Sequence, residues 1–496
     1  MKKRCLLLIL ALIFLLASCG ENADNQTREQ SPAENQESDN TNGDSDNPES
    51  AAERIPANVP GRDFDGYEFT ILANSTAYNP YWYSKDIWVE EETGDLINDA
   101  VYTRNRAVEE RFNIEIMGIF SGNQFNDARR SILANDNNYD MHTVPLQGAT
   151  AQLAQQGLLL DLKNVPFIDL EKPWWDQKAN EQLSISHRVM FTISDLLIID
   201  KDALFIFLFN KDVIQELGLE DPYQLVKNGA WTIDKMWEMA QLNSRDINGD
   251  GIMDDTDSYG LLTAGHTIHG NVVSSGHFVI TKDKDDLPVL NITHPIIQAT
   301  IEKWLDMKND RSNTWIAQDW DSRHADIWLY QLDVLSEGRG MFLYAGMDRV
   351  TTLRTFDFNF GILPNPKFDE SQDEYFNHVH AWCTTAISIP VTSDPERTGI
   401  ILEALTAESY YTLRPAYYEV SLMTKFLRDD ESGEMLDLIF STRCYDLGHV
   451  YNWGGVFDMF SSLPLQSNQQ FVSAYERIMP RIEADMQAAI EMFLEQ

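Results

Sequence analysis

The sequence predicts an α/β protein built on a largely parallel sheet. Three observations carry that expectation. From Gly61 onward, short apolar or alternating runs take turns with stretches of helical period. The helical stretches stop where Asn or Gly stands, as at Asn113, Gly157 and Gly218. Residues suited to helix starts, Asn210, Thr232, Pro295 and Pro395, stand just ahead of apolar stripes.

The elements follow in order. YEFTILA, from Tyr67, reads as a strand, and INDAVYTRNRAVEERF places Ile97, Val101, Val108 and Phe112 on one helical face. IEIMGIF alternates as a second strand. DARRSILAN is a helix, YDMHTVPL a buried strand, and ATAQLAQQG a third helix. A second block opens with the apolar run Ala203–Phe209, then a helix from Asn210 to Gly218. WTIDKMWEMA follows, with Thr232 as cap, Trp237 on the core stripe and Trp231 packing at the entry. Pro295 opens a helix carrying Ile297, Ile301, Trp304 and Leu305; GRGMFLYAG and FNFGILPNP read as strands. SDPERTGIILEAL is a capped helix, and Ile482, Met486, Ala489 and Phe493 make a last apolar stripe.

The ends and the charge narrow the class. With 38 basic against 78 acidic residues the net charge is −40, which repels phosphate backbones and argues against a nucleic-acid partner. MKKRCLLLILALIFLLASCG has a basic start, an apolar run and small residues, the layout of an export signal. Residues 20–60 are almost all polar and acidic, a composition that cannot offset its ordering entropy, so they read as a flexible tether. Past the signal and Cys19, Cys383 and Cys444 remain, either as a disulfide or as two buried thiols.

Leu16-Ala17-Ser18-Cys19 resembles the lipobox of bacterial lipoproteins, and the rest of the chain resembles the extracellular solute-binding proteins of ABC importers, on the sugar-binding branch that includes maltose-binding protein. The resemblance rests on YDMHTVPLQGATAQLAQQGLLLDL, FLFNKDVIQELGL, WTIDKMWEMA, EGRGMFL and FGILPNPK, in that order and spacing. It implies a lipid on Cys19, hence export and anchoring at the outer face of the bacterial cytoplasmic membrane. It also implies a two-lobed periplasmic-binding-protein-like fold of type II, each lobe discontinuous in sequence, closing by a hinge on a small solute, a sugar or oligosaccharide. An ABC permease is the implied partner, and a monomer is expected. The expected lobes are 61–203 with 340–376, and 204–339 with 377–496. Crossings are expected near Ile198–Phe209, Gly338–Tyr344 and Trp382–Ile389.

DINGDGIMDDTD reads as a calcium loop inside the second lobe. Asp246, Asn248, Asp250, the Ile252 carbonyl, Asp254 and Asp257 fall at the spacing of oxygen ligands, with Gly251 at the sharp turn. Asp257 stands where the full motif has Glu, which shortens the reach by a methylene. The plainer reading is a solvated acidic turn. The expected role is structural.

For the solute, Tyr81 and Trp82 after the first strand are the leading candidates, with Trp174, Trp175, Trp382 and Trp453 as further aromatic faces. Gln147, Asp195 and Arg349 are the polar candidates. For each tryptophan the alternative is burial in the core. A rival class is a secreted glycoside hydrolase with two carboxylates across a cleft; a peptide or another solute is the rival ligand. A surface scaffold fits the α/β pattern less well. H-E-x-x-H, G-x-S-x-G and C-x-x-C are absent. His266 with His269, and His378 with His380, have metal-ligand spacing but lack an identified third ligand.

Overall fold

Local signals set most elements. In the computed structural model, residues 54–422, 430–466 and 470–495 are described. Cys19, the signal segment 1–19 and residues 20–53 of the tether lie outside them. Residues 54–60 carry no regular structure. Nine strands organise the folded unit Pro56–Gln496: β1 (Tyr67–Asn74), β2 (Ile114–Ser121), β3 (Met141–Pro145), β4 (Phe205–Asn210), β5 (Tyr259–Thr263), β6 (Thr314–Ile316), β7 (Gly340–Gly346), β8 (Phe360–Leu363) and β9 (Thr385–Ser388).

Two sheets result. The first runs β9-β3-β1-β2, with β1 parallel to both neighbours and β9 antiparallel at the edge. The second runs β8-β4-β7-β5-β6; β5 is parallel to β7 and β6, while β4 is antiparallel to β7 and β8. Helix ends obey the expected chemistry. Asn113 takes the left-handed conformation at φ 49°, and Asn210 Oδ1 accepts Val213 N–H at 3.1 Å. The second sheet is buried on both faces, since every residue of β4 and β7 is buried. On one face Phe205 and Phe207 pack with Tyr344, Phe207 with Trp231, and Phe209 with Tyr223. Trp304 is core as expected, Trp231 donates its indole N–H to the Pro364 carbonyl at 2.9 Å, and Trp237 is only partly buried.

The two-lobed arrangement stands, but its segments are exchanged. Residues 340–363 were expected in the first lobe and instead supply β7 and β8 to the second sheet. Residues 385–388 were expected in the second lobe and instead supply β9 to the first. The reason is non-local pairing. β7, buried along its whole length, fits between β4 and β5, where only an apolar strand can go. The stretch Gly338–Tyr344 is therefore no crossing. One crossing lies between Thr192, bridged to Ile387, and Phe205; another lies between Leu363 and Thr385. The helix Pro395–Tyr411 returns to pack on Leu96–Phe112. The helices Leu447–Tyr451 and Val456–Ser462 touch Leu146–Thr150 on one side and Gly265–Thr267 on the other, making a third wall. Among the described residues no helix is long and apolar enough to cross a membrane. Cys383 and Cys444 are both free and buried.

Candidate functional site

Parallel strands send their outgoing loops to one edge of a sheet, and in both lobes those edges meet. Between them lies a cleft of about 1140 Å³. This exceeds the ~300–1,000 Å³ usual for small-ligand sites. The first lobe contributes Tyr78–Trp82 after β1, Gly122–Phe125 after β2, and Gln147, Gln152, Gln155 and Gln156 after β3. The second contributes Ala264–Thr267 after β5, Asp348 and Arg349 after β7, and Trp328 and Gln331 from the helix Ile327–Ser336. His380, Trp382 and Cys383 on the crossing segment join the lining. The third wall adds Tyr451, Asn452, Phe457, Asp458 and Ser461.

Tyr81 and Trp82 are aimed by a local device: Asn79 Oδ1 accepts the N–H of Tyr81 at 2.8 Å and of Trp82 at 3.1 Å. Tyr81 then crosses the cleft. Its hydroxyl donates to Asp326, the residue capping Ile327–Ser336, and the Arg349 guanidinium lies 4.7 Å from its ring centroid. Burial, reinforced by Asp326, pushes the Tyr81 hydroxyl up to about 12. Lys85, in the same loop, pairs with Asp202 at 2.6 Å. Trp382 is 39% exposed and its ring stands 6.0 Å from that of Tyr78. Gln147, whose N–H donates to the Ala381 carbonyl at 3.0 Å, leaves its Oε1 buried and unpartnered.

Thus Tyr81, Trp82, Gln147, Arg349 and Trp382 gather in one cleft, and four other candidates do not. Trp174 and Trp175 are core residues, each donating its indole N–H to Glu403 at 3.0 Å. Asp195 lies 3.8 Å from Lys201 and 3.5 Å from Arg414, beside a separate cavity of about 270 Å³ that Trp175 also lines. Trp453 is buried behind the wall, its ring stacked 4.6 Å from Tyr451. Tyr78, Trp328, Asp348, His266, His380 and Tyr451 line the cleft without having been singled out for it. For Asp348 a signal existed: it adjoins Arg349 just past a buried strand. Trp328 offered none beyond a cap at Asp326.

The histidines also gather. His269, His378, His380 and His449 pack ring against ring beside the cleft, His449 Nδ1 standing 3.2 Å from His378 Nε2. Burial holds His378 down to about 3 and His266 to about 4. The rings stack on neighbours instead of converging on a point. Among the described residues no three His, Cys, Asp or Glu side chains are placed to hold a metal.

That finding includes the DINGDGIMDDTD loop as it stands. Its oxygens point inward but accept the loop's own N–H groups: Asp246 from Gly249 at 2.6 Å and Gly251 at 2.7 Å, Asp257 from Ile247 at 2.9 Å and Asp254 at 2.8 Å. Gly251 has φ 84°, which the sharp turn demands. The donor chemistry of the loop is that of hard oxygen ligands, and a carboxylate oxygen that accepts an N–H keeps lone pairs to spare.

No family model matches the chain, and no curated protein does. Solved structures match in fold. An ABC substrate-binding protein from Listeria monocytogenes, in complex with cycloalternan, superposes with a TM-score of 0.55 at 11% identity, over 85% of this chain and all (100%) of that one. UgpB from Mycobacterium tuberculosis, in complex with glycerophosphocholine, gives 0.54 at 13%, over 86% and 99%. RafE from Streptococcus pneumoniae, in its apo form, gives 0.51 at 13%, over 86% and 98%. The chain therefore has the two-lobed α/β fold of ABC substrate-binding proteins, with its cleft between the lobes.

Proposed function

We propose that this protein is an exported lipoprotein that captures a sugar or oligosaccharide between its lobes and delivers it to an ABC permease. The observation that carries the reading is the composition of the cleft. Flat aromatic faces (Tyr78, Tyr81, Trp82, Trp328, Trp382, Tyr451) stand among nine amide side chains, and no Lys or Glu lines it among the described residues. Aromatic faces cover the C–H faces of pyranose rings, and amides both donate to and accept from hydroxyls. A binding protein is favoured over a hydrolase because the fold is that of proteins which bind and release. A lipid on Cys19 would hold the protein at the outer membrane face, and the calcium loop would clip a long excursion of the second lobe.

A calorimetric screen of purified protein with saccharides and peptides tests the reading. A neutral saccharide is expected to bind near the micromolar range, about −8 kcal/mol, and to be recovered uncleaved. Binding of peptides alone, or recovery of hydrolysed sugar, ends it. Mass spectrometry of the N-terminal peptide tests lipidation, and Cys19→Ser is expected to release the protein from membranes.

A further inference from the structure

Buried polar atoms are almost always paired, so unpaired ones that cluster at one place describe what is meant to arrive there. In the cleft, Gln147 Oε1, both ring nitrogens of His380, the Tyr451 hydroxyl and Asp348 Oδ1 are buried without a hydrogen-bond partner. Asp348 differs from the others because it alone is a carboxylate. It stands at the mouth of β7, where Gly346 makes room for it. A Cβ at 346 would lie 2.5 Å from Asp348 Oδ1 and 3.1 Å from the Trp82 ring. Carboxylate and indole therefore share one corner of the cleft.

The charges around that corner are already spoken for. Arg349 Nε stands 3.4 Å from Asp348 Oδ2 while its guanidinium covers Tyr81, and Arg481, at the rim, stands 3.7 Å from Asp485. Among the described residues of the lining, the carboxylates Asp348, Asp458 and Asp485 outnumber the guanidiniums Arg349 and Arg481, so the lining itself carries no surplus cation for an anionic ligand. A carboxylate oxygen without a partner accepts hydrogen bonds and rejects another acceptor.

Resting on the saccharide reading above, we infer that Asp348 is the specificity anchor of the cleft: it accepts hydroxyl hydrogen bonds from a neutral sugar ring seated against Trp82, and it excludes uronate and phosphate-bearing saccharides. The groups that face Asp348 are Arg349 on its own helix, Asp202 from the helix Ile199–Asp202, Lys85 from the loop after β1, and Cys383 from the crossing. Burial, with Asp202 adding to it and Arg349 and Lys85 opposing, pushes the Asp348 carboxyl up to about 7. Accepting hydrogen bonds from hydroxyls favours its ionised form, so affinity rises with pH through that region. His266 and His380 lie in the same cleft but are held down, His266 to about 4, and do not titrate there.

The test is calorimetry on the full chain with neutral oligosaccharides, the matching uronate oligosaccharides and sugar phosphates, for wild type and Asp348→Asn, with melting curves for both. Wild type is expected to bind neutral sugars and neither charged class. Asp348→Asn is expected to lose affinity by about 10–100-fold, as for a lost charged hydrogen bond, with no fall in melting temperature. The wild-type affinity is expected to rise between pH 6 and pH 8, a measurement that needs no variant. Equal binding by Asp348→Asn, a flat wild-type pH profile, or uronate binding as tight as neutral overturns this inference while leaving sugar capture intact. If wild type binds no saccharide at all, both readings fall together.

Discussion

Tyr81-Trp82 and Trp174-Trp175 are each a pair of adjacent aromatics in a loop, and they do opposite things. Both indoles of the second pair donate to one buried acceptor, Glu403, which pins the loop to the helix Pro395–Tyr411. The first pair is turned by Asn79 into the cleft, where Tyr81 reaches across to Asp326. The lesson concerns where the polar edge of an aromatic finds its partner. A ring whose N–H or O–H is satisfied inside its own lobe is structure; a ring that spans a gap is available to a ligand or to the closing motion.

That contrast breaks first on stability. Trp174→Ala is expected to cost about 3–5 kcal/mol in a denaturant titration, through the cavity and the unpaired Glu403, with saccharide affinity unchanged below the melting temperature. A parallel loss of affinity would mean that the pair does reach the ligand. Next comes pH. Burial pushes Glu403 up to about 7 from its ordinary 4.5, the two indole N–H groups opposing. The folded state thus prefers the protonated acid, and stability falls as pH rises from about 4.5 through 7. The loss is on the order of 3 kcal/mol. Glu403→Gln is expected to flatten that slope in melting curves run from pH 4.5 to 8.

The cleft pair should answer in affinity instead. Trp382→Ala, on an exposed ring, is expected to weaken saccharide binding by about 1–3 kcal/mol with little change in melting temperature. Tyr81→Phe removes only the hydroxyl that bonds Asp326. It is expected to cost about 0.5–1.5 kcal/mol of affinity, read as faster release in stopped-flow, because the closed state loses one tie. The smallest effect belongs to the acidic loop. Chelation is expected to lower the melting temperature by about 1 °C, consistent with roughly 1 kcal/mol, and to leave affinity alone. An unchanged melting curve together with no calcium by elemental analysis removes the metal.

Much of the fold was legible because it is local. Asn113, Asn210, Thr232 and Asp394 mark their helix ends by hydrogen bonds that span only a few residues, Pro395 adds its fixed φ to the last, and a window of sequence contains all of that information. The exchanged segments were not legible. GRGMFLYAG announces a buried strand, but which sheet it enters depends on the gap between Phe205–Asn210 and Tyr259–Thr263. Loops after parallel strands were the right place to look for a site, and Tyr81, Trp82, Gln147 and Arg349 follow from that rule. Trp174, Trp175 and Asp195 satisfied a loop criterion too, yet the Glu403 and Arg414 side chains that hold them lie 229 positions from Trp174 and 219 from Asp195.

By itself the sequence determined the alternation of strands and helices, the acidic surface and the oxygen-rich loop, since each is a matter of composition or short spacing. Tertiary structure alone decided which strands share a sheet, that the histidines stack, and that Asp348 keeps an unpaired oxygen beside Trp82. Those outcomes depend on contacts between residues tens to hundreds of positions apart, and the free energy of such a contact is not written in either partner.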